Sequence, residues 1–155
     1  MRHSNAWVLD ASVAAKWFLP AEGETLVSEA FEILSDHVSR GCRLIVPDLF
    51  WPEVANIFWK AARTGRITSQ IAEDALHALA ALGIETRPSP PLVKHAIRLA
   101  LNTGRPAYDA FYVTLAVTTG LNLLTAGERL VNALGARFPM IWLGRVTAGG
   151  ADLYN

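Results

Sequence analysis

Short apolar runs alternate along this chain with longer stretches in which apolar residues recur every three or four positions. The runs at 6–9, 43–46, 84–87, 122–125 and 140–143 have the length and β-branched content of buried strands. The longer stretches have a helical period. Residues 24–40 place Leu26, Ala30, Phe31, Leu34 and Val38 on one predicted face, with Gly41 as the stop. Residues 68–82 align Ile71, Ala75, Leu76, Leu79 and Leu82, with Gly83 following. Further helices are predicted over 12–19 before Pro20, over 49–63 with Asp48 as N-cap and Gly65 as the end, and over 92–101 before Gly104. The last two are predicted over 107–119, between Pro106 and Gly120, and over 128–134.

Strands separated by helical segments argue for an α/β fold, a three-layer α/β/α sandwich around a mainly parallel sheet. In such sheets ligands bind beyond the carboxyl ends of the strands, where the strand order reverses. At 155 residues the chain suits one domain, expected over residues 1–146, with a Gly-rich, weakly patterned tail at 147–155.

Composition narrows the classes. Apolar residues make up 52% and charged residues 18%, which is globular. No apolar run reaches the roughly 20 residues that span a bilayer, and MRHSNAWVLD turns polar too early for a signal peptide. The single cysteine, Cys42, forbids an internal disulfide, fits a reducing cytoplasm and reads as a small core residue. Fourteen basic residues balance fourteen acidic ones, so any nucleic-acid role needs a local patch. One candidate patch is Lys60, Arg63 and Arg66, at the end of the helix that begins after Asp48. The four histidines show no metal-ligand spacing, and no Gly-rich phosphate loop follows the first strand.

Three acids occupy similar places. Asp10 ends the first strand in VLDAS. Glu53 and Asp109 each lie in the first turn of a helix, in PDLFWPEVAN and RPAYDAFYVTLA. Singly, each has a structural reading as a helix-dipole or capping acid. Together, the fold rule lets them converge at one sheet end. Gathered carboxylates repel unless a cation is present, and hard oxygen ligands suit Mg²⁺ or Mn²⁺. Such a site can hold a phosphate and activate water. Asp10 and Asp109 are the expected direct ligands, with Glu53 as ligand or base. Ser12 has two open readings, a bond to carboxylate or phosphate and a helix N-cap. Lys16 and Arg105 lie near Asp10 and Asp109 in sequence, where they meet a substrate or neutralise the acids.

The set VLDASVAAKWFLPAE, VPDLFWPEVANIFWKAARTGRIT, AYDAFYVTLA and LLTAGERL, in that order, resembles the PIN-domain ribonucleases, and among them the VapC-like toxins of type II toxin–antitoxin pairs. The resemblance runs from about Trp7 to Val146. It implies a Mg²⁺- or Mn²⁺-dependent endoribonuclease with Asp10, Glu53 and Asp109 in its acidic site. It also implies a homodimer, and an antitoxin gripped by the helix pair that carries Trp51, Phe58, Trp59 and Ile71. The chain departs from the family pattern once. The last segment usually reads LLTADERL, and its Asp is the fourth acid; here that position is Gly127. Three carboxylates leave two divalent cations undercompensated, so a second metal is expected to bind weakly. Glu128 is a poor substitute, because one step along a helix turns a side chain by about 100°. Thr125 remains able to donate a hydrogen bond to the cluster. The alternative reading is a catalytically weak or inactive module that binds RNA or an antitoxin. A haloacid-dehalogenase-like phosphatase is a third, but it wants a second Asp where this chain has Ser12.

Overall fold

The computed structural model of the chain describes residues 6–146; the expected tail at 147–155 lies outside them. Five strands form one sheet in the order β3-β2-β1-β4-β5, and every pairing is parallel. They are β1 (Ala6–Leu9), β2 (Arg43–Pro47), β3 (Glu85–Arg87), β4 (Asn122–Thr125) and β5 (Met140–Trp142). The three inner strands are nearly all apolar, because both of their faces are covered. Val8, Leu9, Val46, Leu123 and Leu124 have no exposed surface at all.

The helices are α1 (Ala11–Ala14), α2 (Val27–Arg40), α3 (Phe50–Arg63), α4 (Ser69–Ala80), α5 (Val93–Thr103), α6 (Ala107–Thr119) and α7 (Glu128–Leu134). Right-handed crossovers put those between β1 and β3 on one face and those between β3 and β5 on the other, which makes three layers. α6 packs on β1, β2 and β4 with α5 against it, while α1 and α4 both pack on α3. The strand order reverses between β1 and β4, so the crevice at their carboxyl ends is the expected ligand position.

The helix ends follow local chemistry. Gly41, Gly104 and Gly120 close α2, α5 and α6 in the left-handed region that glycine enters without a Cβ penalty. Thr68 caps α4 by accepting the Ile71 amide at 3.1 Å.

Two local expectations need correction. Asp48 does not cap α3 with its side chain; the N-cap position is Leu49. The parallel pairing of β2 and β3 brings residue 89 beside Asp48, whose carboxylate accepts the Ser89 amide at 3.0 Å and the Ser89 hydroxyl. The buried face of α2 is also turned from its apolar pattern. Phe31 and Val38 are 46% and 65% exposed, whereas Ala30, Ile33 and Asp36 are buried. The Trp17 indole donates to the Ala30 carbonyl at 2.7 Å and fixes which side of α2 faces inward. Leu26 is not in the helix; it precedes it at φ +57°.

Phe58 is fully buried and meets Phe18 edge to face. Phe58→Ala is expected to lower the unfolding free energy by about 3–5 kcal/mol in urea titration. Phe31→Ala is expected to cost under about 1 kcal/mol. Equal losses would mean that α2 is turned the other way.

Candidate active site

Asp10 immediately follows β1, and its amide donates to the Leu124 carbonyl at 3.0 Å. That bond carries the β1–β4 ladder one residue further and fixes Asp10 at the crevice. It stands at the N-cap position of α1 but makes no side-chain capping bond there. Its Oδ2 instead accepts from Ser12 Oγ and from Thr125 Oγ1, each at 2.7 Å. The two hydroxyls are themselves held. Ser12 Oγ accepts the Ala126 amide at 3.2 Å, and Thr125 Oγ1 accepts the Gly127 amide at 3.0 Å. Each hydroxyl thus takes a backbone hydrogen and gives its own to the same carboxylate oxygen. The open choice at Ser12 is settled in favour of the carboxylate.

Glu53 sits in the first turn of α3, half-buried. Its Oε2 accepts the Tyr112 hydroxyl at 2.7 Å. Tyr112 was not singled out in the sequence, although it stands one helical turn after Asp109 on α6 and so on the same side. Asp109 is half-buried at the start of α6, with Arg105 Nη2 3.4 Å from its Oδ2. The Arg105 Nε is buried with no hydrogen-bond partner among the described residues.

The acids act on one another. Burial lifts the Asp10 carboxyl above its ordinary range; the Thr125 and Ser12 hydroxyls oppose this, and Asp109 adds to it. Burial also lifts Glu53. The Tyr112 hydroxyl opposes that shift, and the charges of Asp10 and Asp109 reinforce it. All three carboxylates therefore lie within range of each other's charge. Among the described residues, no group of three or more acid, histidine or cysteine side chains is gathered closely enough to hold a metal ion by itself.

A cleft of about 840 Å³ adjoins Ser12 and Gly127 and runs along Lys16, Glu24, Asn56 and Lys60. Lys16 does not neutralise Asp10. It is buried, and its Nζ pairs with Glu24 Oε2 at 3.1 Å. Arg66 is likewise committed, to Glu24 Oε1 at 3.0 Å. Arg63 lies over the Trp59 ring, 5.3 Å from its centroid. Of the expected basic edge, Lys60 and Arg66 line the cleft.

Gly127 stands at the N-cap of α7 with φ −78°, a backbone that any residue adopts. A Cβ there would meet Thr125 Oγ1 at 3.4 Å and Leu130 Cβ at 3.7 Å, which is ordinary contact. An acid at this position would stand beside the Asp10 network. Glu128 is exposed.

Other residues are structural. His37 bridges the Cys42 and Leu82 carbonyls at 2.6 Å each. His77 and His95 are exposed, and His3 lies outside the described residues. Cys42 is buried, and burial pushes its thiol up to about 11, which makes it a poor nucleophile at neutral pH.

Residues 7–134 match the family model described as the PIN domain. The chain is 34% identical over 131 residues to Ribonuclease VapC3 of Pyrobaculum aerophilum, covering 83% of this chain and 95% of that protein. Among solved structures, PAE2754 of Pyrobaculum aerophilum superposes with a TM-score of 0.67 at 24% identity, over 90% of each chain. VapBC-1 of nontypeable Haemophilus influenzae has a TM-score of 0.59 at 14% identity, over 90% of this chain and 99% of that one. A toxin–antitoxin complex from Klebsiella pneumoniae also has a TM-score of 0.59, at 11% identity, over 88% of this chain and 97% of that one. These structural likenesses speak for the fold.

The raised carboxyls of Asp10 and Glu53 have a consequence for stability. The folded state holds protons that the unfolded chain releases just above the ordinary carboxylate pKa, so their contribution is present at acidic pH and is lost as pH rises. Glu24, Asp48 and Glu85 are shifted down and act in the opposite sense, so the informative quantity is a difference between two proteins. In the absence of divalent cations, the stability of the parent relative to Asp10→Asn is expected to fall as pH rises above the ordinary carboxylate pKa of about 4. Urea midpoints taken upward from that pH measure it; a constant difference would show that Asp10 does not titrate abnormally.

Proposed function

This chain belongs to the PIN domain family, and from that premise we propose that it is a divalent-metal-dependent endoribonuclease, the toxin of a toxin–antitoxin pair. The observation that carries the reading is the placement of Asp10 at the β1–β4 switch point. Two amide-anchored hydroxyls orient it there, and Glu53 and Asp109 lie within its field. A carboxylate so desolvated and so close to two others is unfavourable for a free protein and well suited to a cation.

The donor set consists of hard oxygens, which suits Mg²⁺ or Mn²⁺. Such ions use one or two carboxylates and fill their remaining positions with water and substrate phosphate, so a complete protein cage is not required. Asp10 and Asp109 would hold the ion, with Glu53 beside it. When bound, the ion supplies charge to the phosphodiester and lowers the pKa of water. The chain's own groups do the rest. Tyr112 holds Glu53 Oε2, which leaves Oε1 to accept a proton from the attacking water. Arg105, whose side chain is partly exposed beside Asp109, offers a guanidinium donor to a phosphate oxygen. The water oxygen bonds to phosphorus as one ester oxygen leaves with its bonding electrons, and the proton accepted by Glu53 passes through solvent to that leaving oxygen.

Partner surfaces are available for the expected homodimer and antitoxin. Val93, Ile97 and Leu101 form an exposed apolar stripe on α5, and Trp59 and Ile71 are exposed on the α3–α4 pair. Exposed apolar groupings of this kind favour association.

A second reading rests on Gly127. The position that would carry a fourth carboxylate has none, and Glu128 is at the surface. On that reading the chain binds RNA or an antitoxin with little cleavage. One assay separates the two. With Mg²⁺ or Mn²⁺ the antitoxin-free protein is expected to cut single-stranded RNA, and Asp10→Asn to slow it by at least about a hundredfold. Gly127→Asp is expected to lower the metal concentration needed. An inert parent beside an active Gly127→Asp would establish the second reading; inertness of both would contradict the nuclease reading.

A further inference from the structure

Two of the three cations that line the cleft beside the acids are held in ion pairs. Lys16 is buried on the turn that follows α1, and Arg66 lies beyond the end of α3. They come from separate parts of the chain, yet both bind one carboxylate. Glu24 takes Lys16 on Oε2 at 3.1 Å and Arg66 on Oε1 at 3.0 Å. This carboxylate is itself largely buried, with 15% of its side chain exposed. The three groups line the same cleft as Ser12, Gly127 and the exposed Lys60.

A lysine and an arginine gathered at one point in a partly dry cleft carry a large desolvation and repulsion cost unless an anion sits between them. One carboxylate with an oxygen turned to each is the geometry a bridging phosphate diester would also adopt, since it too has two anionic oxygens. The backbone around Glu24 is unusual. Gly23 is at φ +82° and Leu26 at φ +57°, so two left-handed residues bracket it. A non-glycine residue in that region is strained, because its Cβ crowds the following carbonyl oxygen, and here the strained segment is tied down through Glu24 to Lys16 and Arg66 and by Arg66 to the Glu22 carbonyl at 3.5 Å.

We propose that Glu24 is a stand-in anion: in the free protein it occupies the place of an RNA phosphate between Lys16 and Arg66, and it yields that place when the strand enters the cleft. The proposal rests on the ribonuclease reading and adds a subsite to it, one that receives a phosphate away from the bond being cut. Glu24 is a positioning residue in this scheme. It keeps the two cations in place and lowers non-productive binding of other anions. The segment 23–26 moves as it leaves, which relieves the strain at Leu26.

The test uses full-length protein carrying Asp10→Asn, so that RNA is bound and not cut. Fluorescence anisotropy with a labelled single-stranded RNA is read at several salt concentrations. Adding Glu24→Gln removes the competing charge and leaves both cations. The expected result is about tenfold tighter binding, with the logarithmic salt dependence steeper by about 0.7, the value of one further phosphate contact on a single strand. Adding Arg66→Gln to that protein should return both quantities toward the starting values. Arg66 is partly exposed, so Arg66→Gln alone serves as the variant least able to disturb folding; it is expected to weaken binding and flatten the salt slope. If Glu24→Gln fails to fold, the Arg66→Gln result decides. Unchanged or weaker binding by folded Glu24→Gln, or no effect of Arg66→Gln, would overturn the proposal. If RNA is still bound in those cases and the parent still cuts it in an Asp10-dependent way, the nuclease reading stands alone. Absence of any salt-dependent RNA binding would overturn both.

Discussion

The arrangement depends on one hydrogen-bonded carboxylate. Asp10 joins β1 to β4 twice, through its amide to Leu124 and through its Oδ2 to Thr125. The same oxygen takes the Ser12 hydroxyl, and the two hydroxyls hold the backbone of Ala126 and Gly127. The loop into α7, the start of α1 and the sheet end are thus tied to a single charge. Because that charge is desolvated and faces other acids, the free protein holds it at a cost. On the proposed reading, the same surroundings that make the site costly would favour a hard cation. If the site holds a cation, stability and function are coupled there through the raised carboxyl of Asp10.

Gly127 alters this balance without altering the fold. Its backbone is ordinary and its missing Cβ would fit, so no steric or conformational demand calls for glycine. What the position lacks is charge. Its amide still supports Thr125, so the orientation of Asp10 survives the loss of a side chain. The neighbouring cleft is balanced in a different manner, by two cations around Glu24. The crevice therefore has an acidic half in which no cationic side chain among the described residues pairs with Asp10, and a basic half that already has its anion.

Much of this was legible in the sequence, for local reasons. α6 begins after Pro106 and ends at Gly120 as expected, because a fixed φ and a left-handed glycine mark its two ends. The strands were legible because a doubly covered parallel sheet demands short apolar runs. Thr125 bonds the acid cluster as its position suggested. Apart from the late start of α2, the misses were tertiary. The apolar pattern of α2 could not reveal that Trp17 would grip Ala30 and turn Phe31 outward. Asp48 has the sequence of a cap, but pairing of β2 with β3 delivers Ser89 to it. Tyr112 looks like one more aromatic of an apolar helix until α6 is set against α3 and its hydroxyl reaches Glu53. The pairing of Lys16 and Arg66 through Glu24 joins residues over 40 positions apart, and no local signal carries it.

The central claim is that the acids around Asp10 form a cation site. Anomalous scattering from crystals soaked in Mn²⁺ tests it most directly, because it locates the ion without reference to activity. The account predicts a Mn²⁺ peak in contact with the Asp10 carboxylate, between it and Asp109, that disappears in Asp10→Asn. A peak elsewhere, or none at Mn²⁺ concentrations that support cleavage, would contradict it.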